Sequence, residues 1–280
     1  MCFRATLTLA MISAAALVAD QRLVNGPAGR LFVDDGGQSR ATPVLFIHSL
    51  GGNANQWTAQ LRHVRRTRRG VGFDLRGHGQ SDPPPDHRYG LQDYAADVRS
   101  LLDDLHIARA IVVGHSMGGG IAVAFAGQSP DRVAGLLLVD PIDDPSKRPP
   151  STEFDQFLAE LDGPNYSNVI AGYWTQILEH SRAAVRQRVM NDLRATRKES
   201  IVFSMREMTS FNAADALRRY TGPMLTVTTP MNEYPSSLHN VIAGLRRETM
   251  TDVSHWLHLD RPSEFNAILD RFLTLADAAP

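Results

Sequence analysis

The sequence predicts an α/β fold built around a mostly parallel β-sheet. Short apolar segments alternate with amphipathic helical segments along most of the 280 residues, a pattern that is typical of βαβ units. The strand segments at residues 43–47 and 133–139 are apolar throughout, so we expect helices to cover both faces of the sheet. The alternation pauses only between residues 145 and 218.

Each element is predicted from its own local pattern. Most strand segments are rich in Val, Ile, Leu or Phe and lie next to Gly, Pro or Asp; residues 247–251 are less apolar and are taken as the last strand. Val98, Leu101 and Leu105 have the spacing of one helix face, and Pro262 marks the first turn of the last helix. We predict strands at residues 30–33, 43–47, 71–74, 111–113, 133–139, 224–228 and 247–251, and helices at residues 57–64, 94–105, 121–126 and 262–275.

Residues 145–218 interrupt this alternation and are predicted to be helical. The segment opens with a proline-rich stretch at residues 145–150, and apolar residues then recur at helical spacing. We interpret the segment as a helical cap inserted after a strand. Residues 20–144 and 219–280 then form the core domain.

Residues 1–19 are predicted to be a signal peptide. Arg4 precedes an apolar run that ends in small residues near Ala19, as in secretory signals, and the run is short for a membrane span. Export would place the protein in the periplasm or outside the cell, whereas without a signal peptide it would be cytoplasmic. An N-terminal helix or a misassigned start is the alternative interpretation.

The composition excludes several classes of site. The 29 basic and 30 acidic side chains nearly cancel, so no global field favours nucleic acid. Cys2 is the only cysteine, which rules out an intrachain disulfide and a cysteine-based zinc site. The histidines show no metal-ligand spacing. We therefore predict no metal, no cofactor, no stable membrane insertion of the mature chain, and a monomer or homodimer.

The most informative motif is Gly-His-Ser-Met-Gly at residues 114–118. It lies between a β-branched strand segment and a helical run of small residues, so it predicts a sharp strand-to-helix turn. Such a corner exposes the Ser116 hydroxyl at its tip, and flanking glycines leave room for it. It also leaves the backbone N–H of Met117 free to donate a hydrogen bond.

Four ordered segments, at residues 48–52, 74–82, 114–119 and 255–262, together resemble the α/β-hydrolase fold family, in its branch of small capped serine esterases. The resemblance covers nearly all of the chain after the leader. It implies a central, mostly parallel eight-stranded sheet flanked by helices, with the cap inserted after the sixth strand. The catalytic site is then expected at the carboxyl ends of the strands.

The resemblance assigns roles to four positions. Ser116 is the nucleophile, and His255, in the loop after the last strand, is the base that takes its proton. The backbone N–H groups of Met117 and Leu50 form the oxyanion hole. Ser49 stands where the family usually has glycine, which affects the geometry of that loop.

The third member of the triad is left open by the sequence. Asn232 occupies the place where the family usually carries aspartate, and an amide does not offset the imidazolium charge as a carboxylate does. Asp140, at the end of the sixth strand, is the favoured substitute, because some relatives place their acid there. Glu233 is the alternative acid, and the third possibility is that neither serves.

These assignments predict a serine hydrolase that cleaves a carboxylic ester or lactone of a small molecule through an acyl-enzyme. A C–C bond hydrolase or haloperoxidase-like enzyme on the same scaffold is an alternative. A non-catalytic binding protein is a second alternative, and Asn232 is its motive. The predicted substrate-binding residues in the cap are Trp174, Tyr173, Phe203 and Met208.

Overall fold

An eight-stranded β-sheet forms the centre of the computed structural model, which describes residues 19–279. The strands are β1 (Asp20–Gly26), β2 (Gly29–Gly36), β3 (Val44–Ile47), β4 (Gly70–Phe73), β5 (Ala110–His115), β6 (Val133–Val139), β7 (Met224–Thr228) and β8 (Arg246–Thr249). Their order across the sheet is β1-β2-β4-β3-β5-β6-β7-β8. Strand β2 runs antiparallel to both neighbours, and all other neighbouring strands are parallel. The predicted fold class is confirmed.

Strand β1 is not predicted by the sequence pattern. It pairs with β2 as a hairpin at the edge of the sheet, and most of its side chains are at least partly exposed, with Val24 buried. An edge strand of this kind lacks the apolar run by which the inner strands are recognised.

Helices cover both faces of the sheet, and others lie at its edge. In chain order they are α1 (Thr58–Val64), α2 (Leu91–Asp104), α3 (Met117–Gln128), α4 (Thr152–Glu160), α5 (Tyr166–Ile177), α6 (Ala183–Ala195), α7 (Lys198–Met208), α8 (Ala213–Ala216), α9 (Leu238–Val241), α10 (Leu257–Asp260) and α11 (Pro262–Asp277). Successive residues of a strand point to opposite faces. Val44 and Phe46 of β3 therefore pack with α1 and α11, whereas Leu45 and Ile47 pack with α2 and α3.

Helices α4 to α8 lie between β6 and β7 in chain order, where the sequence predicts the cap. We call residues 145–218 the helical insertion. Ser200 of α7 donates to the Gly77 carbonyl, in the loop after β4, at 2.8 Å. Ile177 of α5 accepts from the N–H of His255, in the loop after β8, at 3.2 Å. The insertion therefore packs on loops at the carboxyl edge of the sheet.

The predicted signal peptide falls, apart from Ala19, outside the residues that the structure describes. Within residues 19–279, no helix combines the length and the apolar character that crossing a membrane requires.

Candidate active site

Ser116 lies at a sharp corner between β5 and α3. Its backbone has φ 55° and ψ −119°, a conformation that residues with a Cβ rarely adopt, so the surrounding structure must hold the corner in place. The Ser116 N–H donates to the Val139 carbonyl at 3.0 Å, and the Ser116 carbonyl accepts from the Gly119 N–H at 2.9 Å. The chain thus turns directly from strand to helix at this serine.

Gly118 brings the first turn of α3 against the end of β3. A Cβ at this position would lie 2.5 Å from the Ile47 carbonyl oxygen and 2.6 Å from that of His48. Only glycine fits such a close approach of two backbones. The contact sets the N–H of Met117, one residue earlier, beside the loop that starts at His48.

Replacing Gly118 by alanine is expected to destabilise the protein by about 1–3 kcal/mol or more, because the new Cβ overlaps two backbone carbonyls. Gly172 is the matched control, since it lies exposed inside α5 with nothing within 4 Å of where its Cβ would be. Its replacement by alanine is expected to stabilise the fold by about 0.5–1 kcal/mol. Urea unfolding measures both changes, and effects of the same sign would contradict this interpretation of Gly118.

His255 is hydrogen-bonded to Asp140, with 2.7 Å between His255 Nδ1 and Asp140 Oδ2. The Asp140 carboxylate is buried; its Oδ1 accepts from the Thr229 backbone N–H at 2.9 Å, and the Thr229 hydroxyl donates to Oδ2 at 3.1 Å. A carboxylate only accepts hydrogen bonds, so Nδ1 of the neutral imidazole carries the proton. Nε2 of His255 is then the nitrogen that can accept one.

The other two candidates for the acid position face elsewhere. Glu233 is exposed, and its side chain forms an ion pair with Arg247 of β8. The Asn232 side-chain amide donates to the backbone carbonyl of Pro141, at 2.8 Å. Of the carboxylates weighed from the sequence, the structure brings Asp140 and not Glu233 to His255.

The backbone N–H groups of Leu50 and Met117 are suited to hold an oxyanion. Both residues are buried, and neither N–H donates a hydrogen bond to another group within residues 19–279. A buried N–H without a partner is costly, and a negatively charged oxygen between two such donors would satisfy both.

His48 sets the direction of the Leu50 N–H. Its Nε2 accepts from the Leu75 backbone N–H at 2.9 Å, so its Nδ1 carries the proton and donates to the Ser49 carbonyl at 2.7 Å. The Ser49 carbonyl and the Leu50 N–H belong to one trans peptide unit and point in opposite directions. Burial lowers the pKa of His48 to about 3, so the ring stays neutral at physiological pH. We call residues 48–52 the oxyanion loop.

Two more buried histidines lie near the loop at residues 252–256, which we call the histidine loop. His115 Nε2 lies 2.8 Å from the His255 carbonyl oxygen and donates to it. His258 stacks on Trp57 with ring centroids 4.1 Å apart. Burial lowers the pKa of both rings well below the usual value, so both are neutral. The His115 ring hydrogen-bonds through Nε2, whereas the His258 ring packs without a hydrogen-bond partner within residues 19–279.

Asp260 ties the histidine loop to the helical insertion. Its Oδ2 accepts from the Ser254 backbone N–H at 2.9 Å and from the Ser254 hydroxyl at 2.6 Å. Its Oδ1 accepts from the Arg182 backbone N–H at 3.0 Å. The residue before His255 is thus held by a buried carboxylate that also binds the insertion.

A cavity of about 490 Å³ lies between the helical insertion and the segment that follows β6, where Ile142 lines it. None of Ser116, His255 and Asp140 lines this cavity; it adjoins the candidate site through Ile142, whose N–H donates to the Ser116 carbonyl at 3.3 Å. Two of the predicted substrate-binding residues, Tyr173 and Met208, line it, together with Phe154, Phe157, Leu158 and Met205. Within the described part of the chain, no group of three or more His, Cys, Asp or Glu side chains is arranged to hold a metal ion.

Trp174 and Phe203, the other two predicted substrate-binding residues, do not line this cavity. Trp174 is buried and packs against Trp256, with ring centroids 6.4 Å apart. Phe203 stacks on Tyr89 with centroids 6.0 Å apart. Aromatic side chains in helices more often belong to a core than to a pocket, and helical spacing does not distinguish the two.

Asp74 is a buried carboxylate that joins the loops after β3 and β4. It accepts from the Ala54 N–H at 2.7 Å and from the Gln80 N–H at 2.8 Å. Burial raises the pKa of Asp74 to about 6, and the negative charge of Asp192 also raises it. Between about pH 4 and the folded pKa, the folded protein therefore holds a proton that the unfolded chain releases.

The stability that this proton contributes is present below about pH 4 and is lost as the pH rises through the folded pKa, by up to about 3 kcal/mol. Asp74→Asn removes the titration. The free energy of unfolding of the wild type, minus that of D74N, is therefore expected to decrease from about pH 4.5 to about pH 7. Urea unfolding of both proteins across this range measures it, and a difference that does not change with pH would contradict a raised pKa at Asp74.

Comparison with known proteins finds similar chains. A family model described as alpha/beta hydrolase fold matches residues 42–171. The sn-1-specific diacylglycerol lipase ABHD11 of Danio rerio is 27% identical over 259 residues, which cover 85% of this chain and 80% of that protein.

Solved structures agree. Est816, an N-acyl homoserine lactone degrading enzyme, superposes with a TM-score of 0.76 and 25% identity over 90% of this chain and 100% of its own. A thermophilic esterase from Thermogutta terrifontis shares the fold, with a TM-score of 0.78 and 20% identity over 93% of this chain and 100% of its own. With this sheet, this family model and these relatives, the chain has the α/β-hydrolase fold.

Proposed function

We propose that the protein is a serine hydrolase that cleaves a carboxylic ester or lactone through an acyl-enzyme intermediate. The observation that carries the proposal is the hydrogen bond of 2.7 Å between His255 Nδ1 and the buried Asp140 carboxylate, in a site whose candidate nucleophile, Ser116, lies at a strained strand-to-helix corner. A serine hydroxyl needs a base to become nucleophilic, and a base needs a partner that orients it.

In the first half of the reaction, Ser116 Oγ bonds to the carbonyl carbon while His255 Nε2 takes the hydroxyl proton. The carbonyl electrons move to oxygen, which the N–H groups of Leu50 and Met117 stabilise. The Asp140 carboxylate stabilises the imidazolium that forms. Collapse of this intermediate breaks the bond to the alcohol oxygen, which takes the proton from His255 as it leaves.

In the second half, water replaces the alcohol. His255 takes a proton from the water as its oxygen attacks the acyl carbon, and the same two N–H groups hold the second oxyanion. When the bond to Ser116 breaks, its oxygen recovers the proton and the carboxylic acid is released. A lactone follows the same steps, with the alcohol remaining attached to the acyl group, so its product is a hydroxy acid.

The apolar part of the cavity wall supports an acyl or aryl group of small to medium size as part of the substrate, and charged residues such as Asp143, Arg148 and Glu153 form another part of the wall. Aromatic and thioether side chains, including Phe157, Tyr173 and Met208, form much of its wall, and such walls bind apolar groups by excluding water. The relatives support the bond type, since one is a diacylglycerol lipase and another degrades an acyl lactone.

The proposal is tested with a chain-length panel of p-nitrophenyl esters and a matching panel of lactones, measured on the wild type and on Ser116→Ala. We expect hydrolysis by the wild type that depends on Ser116, with a chain-length optimum set by the cavity. Covalent labelling by a fluorophosphonate, localised to Ser116 by mass spectrometry, is the second readout. A folded wild type that neither hydrolyses these substrates nor is labelled would contradict the proposal.

A further inference from the structure

The buried side chain of Gln56 connects three parts of the candidate site. It lies in a short 3₁₀ turn, Ala54–Trp57, that follows the oxyanion loop, and it is 1% exposed. Its Oε1 accepts from the Ser49 hydroxyl at 3.4 Å and from the Trp256 indole N–H at 3.3 Å. Its Nε2 donates to Asp192 Oδ2, on α6 of the helical insertion, at 2.9 Å.

The chemistry of these partners fixes which way the Gln56 amide points. The indole nitrogen of Trp256 only donates, and the carboxylate of Asp192 only accepts. The amide oxygen must therefore face Trp256 and the amide nitrogen must face Asp192. A reversed amide would lose both bonds.

The oxyanion loop is shaped to receive this amide. A Cβ at Gly52 would lie 2.6 Å from Gln56 Oε1, so the absence of a side chain there leaves the space that the amide fills. Ser49, which replaces the glycine usual in the family, supplies a hydroxyl that donates to the same oxygen. Two positions of the loop thus act together with Gln56.

We propose that Gln56 is a positioning residue that holds the oxyanion loop and the histidine loop in register with helix α6. Ser49 precedes the oxyanion donor Leu50, and Trp256 follows the base His255. The Gln56 amide, which bonds to Ser49 and Trp256, therefore sets the distance between Leu50 and His255. Asp192 fixes that amide from the insertion. The inference rests on the proposed function, because it assigns Gln56 a role in the geometry of that reaction.

The test exchanges donor and acceptor across the Gln56–Asp192 contact. Gln56→Glu faces Asp192 with a second carboxylate, and the repulsion displaces the side chain. We expect kcat to fall about 10- to 100-fold with little change in KM, because small displacements of reacting groups are costly. Asp192→Asn alone costs less, since its amide oxygen can still accept from Gln56. In Q56E/D192N the asparagine donates to the glutamate, the net charge is unchanged, and we expect most of the lost activity to return.

Two further sets of variants separate positioning from folding. Gln56→Met fills a similar volume without hydrogen bonds, so it is expected to lower kcat in a way that D192N does not rescue. Gln60 is the matched control, because it is also a buried glutamine but donates to the His258 carbonyl and to Asn266. Q60E places a carboxylate in the same region, and D192N is not expected to rescue it.

The Trp256 indole N–H gives a readout that does not depend on activity. Its NMR resonance, assigned with a Trp256→Phe variant, is expected to shift in Q56E and Q56M and to return towards its wild-type position in Q56E/D192N. Wild-type kcat in Q56E and Q56M, or equal rescue of Q56E and Q60E by D192N, would overturn the inference. If the wild type hydrolyses no ester or lactone, the proposed function fails, and an unchanged Trp256 resonance in both Gln56 variants would separately overturn the positioning contact.

Discussion

Replacing either Ser116 or His255 by alanine is expected to lower kcat about 10⁶-fold, and replacing both is expected to cost no more than replacing one. Without Ser116 no acyl-enzyme forms, and without His255 the hydroxyl keeps its proton and does not attack. The two side chains act as one unit, so their effects do not add. The activity that remains is expected to come from the Leu50 and Met117 N–H groups and from substrate binding.

The measurement is single-turnover and steady-state hydrolysis of the best substrate by S116A, H255A and the double variant. Ser129→Ala is the matched control, because Ser129 is a buried serine at the other end of α3 whose hydroxyl has no partner within residues 19–279. It is expected to keep wild-type kcat. Additive losses in the double variant would indicate that Ser116 and His255 act in separate steps, against the proposed mechanism.

The central part of the fold follows from local sequence patterns. The inner strands, such as β5 and β6, are buried along their whole length, so each is a continuous apolar run that can be recognised without knowledge of its neighbours. The edge strand β1 is mostly exposed, and its existence depends on pairing with β2. Pairing partners are not encoded in a local pattern, and this explains why the sequence predicts the inner strands but not β1.

Some residues of the candidate site can likewise be predicted from local patterns, and others cannot. Ser116 can be located from the sequence because a tight corner requires glycines next to it, and His255 because it follows the last strand. The choice of Asp140 over Glu233 as the candidate acid depends on contacts that no motif records: the Thr229 N–H, which orients the Asp140 carboxylate, and Arg247, which forms an ion pair with Glu233. Both contacts join residues that lie in or just after separate strands, which come together only when the sheet has formed.

The contacts of Gln56 and Asp260 are not predicted from the sequence, although Asp260 lies in the segment 255–262 that carries the family resemblance. Gln56 bonds to residues 136 and 200 positions further along the chain, and Asp260 binds the insertion across 78 positions. A buried glutamine and a helical aspartate have no distinctive spacing. Their partners come together only when the sheet and the insertion have assembled.

Asp140→Asn is expected to lower kcat by about four orders of magnitude while leaving the fold in place. The Thr229 backbone N–H donates to Oδ1 at 2.9 Å, so in the variant the amide oxygen must stay at that position. The amide NH₂ group then faces His255 Nδ1, where the carboxylate oxygen lies in the wild type at 2.7 Å. Nδ1 becomes the acceptor and Nε2 carries the proton, so His255 is in the tautomer that cannot take the proton of Ser116.

Glu233→Gln is the matched control, because it makes the same chemical change at the other candidate acid. Glu233 is exposed and paired with Arg247, so this variant is expected to keep wild-type kcat. Ester hydrolysis by both variants, with urea unfolding to verify that D140N is folded, makes the comparison. A large loss in E233Q with a small one in D140N would reassign the acid to Glu233. A small loss in both would show that His255 needs no carboxylate, and the hydrogen bond to Asp140 would then be structural.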